Sequence, residues 1–151
     1  MKITSQGEQF QVFHGGIDKL PTSKLTNGLN SVRPEDVGIE GHHYEDWKDQ
    51  RKKLNGIDWD DVEKKFNSGT LPVEKISLDN LHTTQAHLTQ EGLRDRQKNR
   101  EAPDPVSGDK YPWIIQHKGR KWIEDGHHRL AVDKLNGETS SLVRIYKTGI
   151  E

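Results

Sequence analysis

Five consecutive residues, Asp125-Gly126-His127-His128-Arg129, gather one carboxylate, two imidazoles and one guanidinium between apolar neighbours: Trp122 and Ile123 before, Leu130, Ala131, Val132 and Leu135 after. A packed core has no use for such a cluster, but an anion does. Backbone N–H groups at a helix start, and the helix dipole, favour negative charge. An arginine in the first turn adds a planar fork of donors suited to phosphate. A glycine lets the backbone turn sharply and a ligand come close. The plainer alternative is a helix cap by Asp125, which needs neither the histidines nor the arginine, so an anion or phosphate site is the preferred reading. Zinc held by His127 and His128 is disfavoured, because consecutive helical side chains diverge by about 100°. Phosphoryl or phosphodiester chemistry here would rest on charge stabilisation. Asp125, His127 and His128 are then the catalytic candidates, and Asp125 is the candidate metal ligand. Glu124, its neighbour on the strand, points to the opposite face. Glu74 and Asp79 are further general-base candidates, and the sequence singles out none of them.

The elements that must position this loop read clearly from residue 71 onward. A strand is expected over 73–78, followed by a polar, turn-rich exit from Asp79 to Gln85. Thr89 caps a charged helix running to about Arg100, with Leu88 and Leu93 forming a hydrophobic staple. Pro103, Pro105 and Gly108 mark a loop. Strands at 113–116 and 121–124 form a hairpin about Lys118-Gly119-Arg120. A helix over 127–136 stops at Gly137, and 142–146 is a closing strand.

Residues 1–70 read as an extension. A strand is expected at Gln9–His14, and two helices at about 44–55 and 58–68. Asp58 caps the second, and Trp59, Val62 and Phe66 form one stripe. His42 and His43, being adjacent, point apart and read as loop histidines rather than metal ligands. The division is 1–70 for the extension and 71–151 for a folded domain.

Bulk properties bound the function. With 29% hydrophobic and 31% charged residues and a mean hydropathy of −1.01, only a small core can form. The net charge of −1 gives no global field toward DNA or lipid, so any DNA contact must use a local patch. Two qualify: the Lys118, Arg120, Lys121 turn and the Arg94, Arg96, Lys98, Arg100 helix. The absence of cysteine excludes thiol catalysis and disulfides and fits a cytoplasmic protein. No apolar run suggests a membrane span or leader.

Two stretches, Ile76-Ser77-Leu78-Asp79-Asn80-Leu81-His82-Thr83-Thr84-Gln85 and Trp122-Ile123-Glu124-Asp125-Gly126-His127-His128-Arg129-Leu130-Ala131, resemble the ParB/sulfiredoxin superfamily, in its ParB-like nuclease-type form. The resemblance implies a small α+β fold, a mixed sheet with flanking helices, that binds a nucleotide triphosphate, ATP or CTP, with Mg2+. It would place Gly126, His127, His128 and Arg129 on the phosphates, Gln85 beside the nucleotide, and Asp125 near the magnesium ion. Two departures stand against it: sulfiredoxin chemistry needs a cysteine, and His128 replaces an arginine of the partition proteins. Residues 1–70 lie outside the resemblance and are expected to dock a protein partner.

The functional expectation is therefore nucleotide hydrolysis, phosphoryl transfer or DNA cleavage at the 125–129 loop, with the enzymatic step itself left open. The alternative is a non-catalytic DNA- or protein-binding regulatory module of a phage or mobile element.

Overall fold

Neighbouring apolar residues in three strands face opposite ways, and that alternation decides the architecture. Ile114, Ile123 and Ile145 enter one buried cluster. Ile115, Trp122 and Tyr146, each adjacent to one of those, enter another. A sheet whose strands alternate between two apolar sets must be covered on both faces. The computed structural model describes residues 25–26, 31–42, 47–85 and 87–151, and shows an α+β fold of this kind.

The elements in chain order are β1 (Leu25–Thr26), β2 (Ser31–Val32), a 3-10 turn (Pro34–Val37), β3 (Glu40–Gly41), α1 (Trp47–Lys53) and α2 (Trp59–Ser68). They continue with β4 (Val73–Ser77), β5 (Leu81–Thr83), β6 (Leu88–Thr89), α3 (Gln90–Lys98), β7 (Trp113–His117), β8 (Arg120–Asp125), α4 (His127–Leu135) and β9 (Ser140–Lys147). The main sheet has six strands in the order β3-β5-β8-β7-β9-β4, and a small sheet runs β1-β2-β6. In the main sheet β3–β5, β5–β8 and β7–β9 pair parallel, while β7–β8 and β4–β9 pair antiparallel.

One face carries α3 and α4. There Leu93, Leu130, Ala131, Val132 and Leu135 bury against Ile76, Ile114, Ile123, Val143 and Ile145, with Val32, Val37 and Ile39 from the N-terminal segment. The other face carries α2, whose Val62 and Phe66 pack on Ile115, Trp122 and Tyr146. Phe66 stacks on Trp113 with ring centroids 4.6 Å apart, an arrangement worth about 0.5–1.5 kcal/mol beyond area burial. Residues before 71 thus pack into both cores. Tyr146 donates its hydroxyl to Asp61 at 2.6 Å, fixing α2 to β9.

Local signals set the element boundaries. Asp58 Oδ1 accepts the Asp61 N–H at 3.1 Å and starts α2, and Gly69, at φ 71, ends it. Thr89 Oγ1 accepts the Gly92 N–H at 3.0 Å and starts α3. Lys118 and Gly119 both hold positive φ, 51 and 76, and form the two-residue turn between β7 and β8. Mirror-image turns of this kind match the twist of the strands they join.

The structure departs from expectation in the stretch read as a turn-rich exit. Leu81–Thr83 is β5, a central strand paired on both edges. It has no alternation because all three residues are buried, His82 and Thr83 included. The helix expected from residue 44 is described from Trp47, and the strand expected at Gln9–His14 lies outside the described residues. Among the described residues no helix is long and apolar enough to cross a membrane.

Candidate functional site

The 125–129 loop is built by one residue of backbone. β8 passes into α4 through Gly126, at φ 87 and ψ 26, the left-handed region. A Cβ there would stand 2.9 Å from the Pro112 Cα and 2.7 Å from its Cβ, so the turn needs glycine for conformation and for space. Asp125 Oδ1 accepts the Gly126 N–H at 2.9 Å instead of capping deeper N–H groups. Facing this turn are the start of α3 and the 99–112 loop, where the Asp104 carboxylate accepts the N–H groups of Val106 and Ser107 at 2.8 and 3.1 Å. They enclose a cavity of about 580 Å³. Gln85, Asp125, Gly126, His127, His128 and Arg129 all line it, with Asp95, Arg96 and Asp104 opposite.

The charges in the cavity are not those of an open phosphate cradle. Burial pushes the Asp125 carboxyl up to about 6, and the neighbouring Asp104 charge adds to the rise. Burial also pushes His127 down to about 4, and its buried Nε2 has no hydrogen-bond partner among the described residues. His128 is lowered by burial first, with Arg96 acting the same way and Asp104 against it. His128 Nε2 accepts the Thr89 N–H at 3.1 Å. That bond requires a lone pair on Nε2, so the ring ties the start of α4 to the cap of α3, and to act as a base it would have to release that cap. The Arg129 guanidinium donates to the Lys110 carbonyl and lies 4.0 Å from Glu101. Two neutral imidazoles, three carboxyls and two arginines turned to loop backbone make an acceptor-rich lining.

Glu124, one residue away, faces the opposite side of the sheet and accepts a hydrogen bond from Gln50 at 3.2 Å. Burial pushes its carboxyl up to about 7.

The two basic patches fare differently. Just past α3, Arg100 is bound to Asp133 at 2.9 Å and Glu138 at 3.1 Å, and on the helix Arg96 donates to the carbonyls of Asn99 and Ala102. At the β7–β8 tip, Lys118 and Arg120 join Lys53 of α1 around a cavity of about 390 Å³. Among the described residues none of these three pairs with a carboxylate. Lys53 was not legible as part of this patch, since it stands 65 positions before Lys118 in the chain.

A second grouping also escaped the sequence. Glu40, His42 and His82 offer ligand atoms that all lie within 4.8 Å of one another, and among the described residues no other three histidines or carboxylates do so. Asp125 belongs to no such group among the described residues. His43 lies outside the described residues.

The model of a protein family described as Antitoxin VapB-like matches residues 46–149. No curated protein and no solved structure matches the chain. The family match overturns the ParB/sulfiredoxin resemblance, and with it the expectation of a ParB-like nucleotide-binding, nuclease or hydrolase domain. The resemblance rested on two short stretches, both within the matched region. The more specific one, Asp-Gly-His-His-Arg, has a local explanation: a glycine turn packed on Pro112 and a histidine bonded to the Thr89 cap. The nucleotide triphosphate and the magnesium ion rested on the phosphate reading of that loop, and nothing in the family match carries them.

Proposed function

This chain belongs to the VapB-like antitoxin family, and from that membership we propose that it is a non-catalytic regulatory module that binds a protein toxin and DNA. The observation that carries the reading is the family match across residues 46–149, which takes in both helices before β4 and the whole six-stranded sheet except β3. The site chemistry agrees with a binding role. The one histidine of the 125–129 loop with an assigned Nε2 bond uses its lone pair on a helix cap, and the loop arginine is engaged by the 101–110 segment.

For DNA, the β7–β8 tip with Lys53 is the better surface, because its three cations carry no ion pair among the described residues, whereas Arg96 and Arg100 of the other patch are bound internally. Such a module acts where the DNA is, in the cytoplasm.

The test is co-production. The protein encoded beside this chain is induced alone and together with it. Growth arrest by the neighbour alone, relieved when this chain is present, with the two copurifying as one complex, is the expected result. A harmless neighbour, or arrest that this chain does not relieve, overturns the antitoxin reading.

A further inference from the structure

The parallel register of β3 and β5 places three metal-ligating side chains on one face of the sheet edge. Glu40 stands opposite His82. His42 follows Glu40 by two residues and so returns to the same face. His42 Nε2 is 3.0 Å from His82 Nδ1, and His82 Nδ1 is 3.9 Å from Glu40 Oε1. Trp122, opposite His82 on β8, forms the wall beneath them, with ring centroids 4.6 Å from His42 and 5.1 Å from His82.

We propose that Glu40, His42 and His82 form a binding site for a divalent transition metal of the zinc class. Metal–ligand bonds of about 2.0–2.2 Å at tetrahedral angles set ligand atoms about 3.3–3.6 Å apart. The observed 3.0 and 3.9 Å separations straddle that spacing, and rotation of the exposed Glu40 and the half-buried His42 against the buried His82 completes the geometry. Two imidazoles and one carboxylate suit zinc, nickel or cobalt, and are the wrong donors for magnesium or calcium, which take oxygen. With three protein ligands the ion keeps a fourth position, filled by water. His42 also lines the basic cavity at the β7–β8 tip, which puts that position near Lys53 and Arg120.

The consequence is structural as well as chemical. β3 is two residues long and hangs on one edge of the sheet. A metal bridging its Glu40 and His42 to His82 of β5 would fasten that edge, and the 31–42 segment with it.

The competing account is a neutral imidazole–imidazole hydrogen bond with Glu40 uninvolved, and the two separate cleanly. The full chain, stripped with a chelator, is titrated with Co2+ followed by its visible ligand-field bands and with Zn2+ followed by calorimetry. Hydrogen exchange is read at residues 39–42 and 81–83 with and without zinc. We expect one equivalent to bind, tetrahedral cobalt bands, and zinc-dependent protection of both segments. His82 is buried, so His82→Gln can fail for reasons of packing. Glu40→Gln and His42→Gln alter side chains at the rim and keep the core. Loss of even an outer partner costs a metal site about 10–100-fold in affinity, so each rim variant should lose about a hundredfold or more while its chelator-treated stability matches wild type. Absence of stoichiometric binding, or binding unchanged in both rim variants, overturns the site. The antitoxin reading stands or falls separately, because growth rescue does not enter this measurement.

Discussion

Glu124 and Asp125 are successive residues of one strand, and the sheet sends them into different environments. Asp125 joins Asp104 in the α3–α4 cavity, while Glu124 is buried toward α1 and α2 with Gln50 as its donor. A carboxyl raised from 4.5 to about 7 binds its proton more tightly in the folded chain than in the unfolded one. Between those values the folded state holds the extra proton, so stability contributed by Glu124 is complete at low pH and declines as pH rises toward 7. His127, pushed down to about 4, has the opposite slope between about 4 and its ordinary value. Comparing Glu124→Gln with wild type cancels that term. At pH 8 the variant should be more stable by up to about 3 kcal/mol, the two converging near pH 4–5. Urea unfolding at pH 5 and pH 8 checks this; an equal difference at both would mean that Glu124 is not buried in the charged form's disfavour.

At the scale of elements, α3 and α4 are joined by a side chain and a space. His128 accepts the Thr89 N–H, and Gly92 lies under the ring, where a Cβ would come 2.7 Å from His128 Cδ2 and Nε2. Alanine improves a helix interior over glycine by about 1 kcal/mol, but overpacking a well-filled contact costs about 1–3 kcal/mol, so the clash decides the sign. Gly92→Ala should destabilise by about 1 kcal/mol, and the loss should shrink when His128→Ala is already present. A double-mutant cycle by urea unfolding measures this. Arg144 plays a similar joining role elsewhere, holding Asp109 at 2.7 Å through Nε and the Leu71 carbonyl at 2.8 Å, so the 99–112 loop is pinned to β9. What was legible at this scale follows from locality. The caps at Asp58 and Thr89, the hairpin about Lys118-Gly119, and the helix after Gly126 are each specified by residues within a few positions. β5 was missed because a fully buried three-residue strand shows no alternation. The Glu40–His42–His82 grouping was missed because the register of two parallel strands, not spacing along the chain, assembles it. The 125–129 loop was found as a cluster, but burial and the Thr89 bond, which set the charge of its histidines, are tertiary facts.

For the whole molecule, a net charge of −1 leaves DNA attraction to local cations. If the β7–β8 tip carries the contact, removing two of its charges with Lys118→Ala and Arg120→Ala should flatten the slope of log affinity against log salt by about 2. Toxin neutralisation should stay unchanged. Mobility shifts across a salt series on DNA upstream of its own coding region read the slope; an unaltered slope would place the contact elsewhere. The strand order has a further consequence, in time rather than space. β4 pairs only with β9, and β5 meets β8 only after some 35 intervening residues have been made. Until residues 113–147 have left the ribosome, β4 therefore has no strand to pair with, and β5 has only the two residues of β3. Long-range pairings of this kind are slow to form, so a newly made chain passes through an interval in which proteases can reach segments that the finished fold protects.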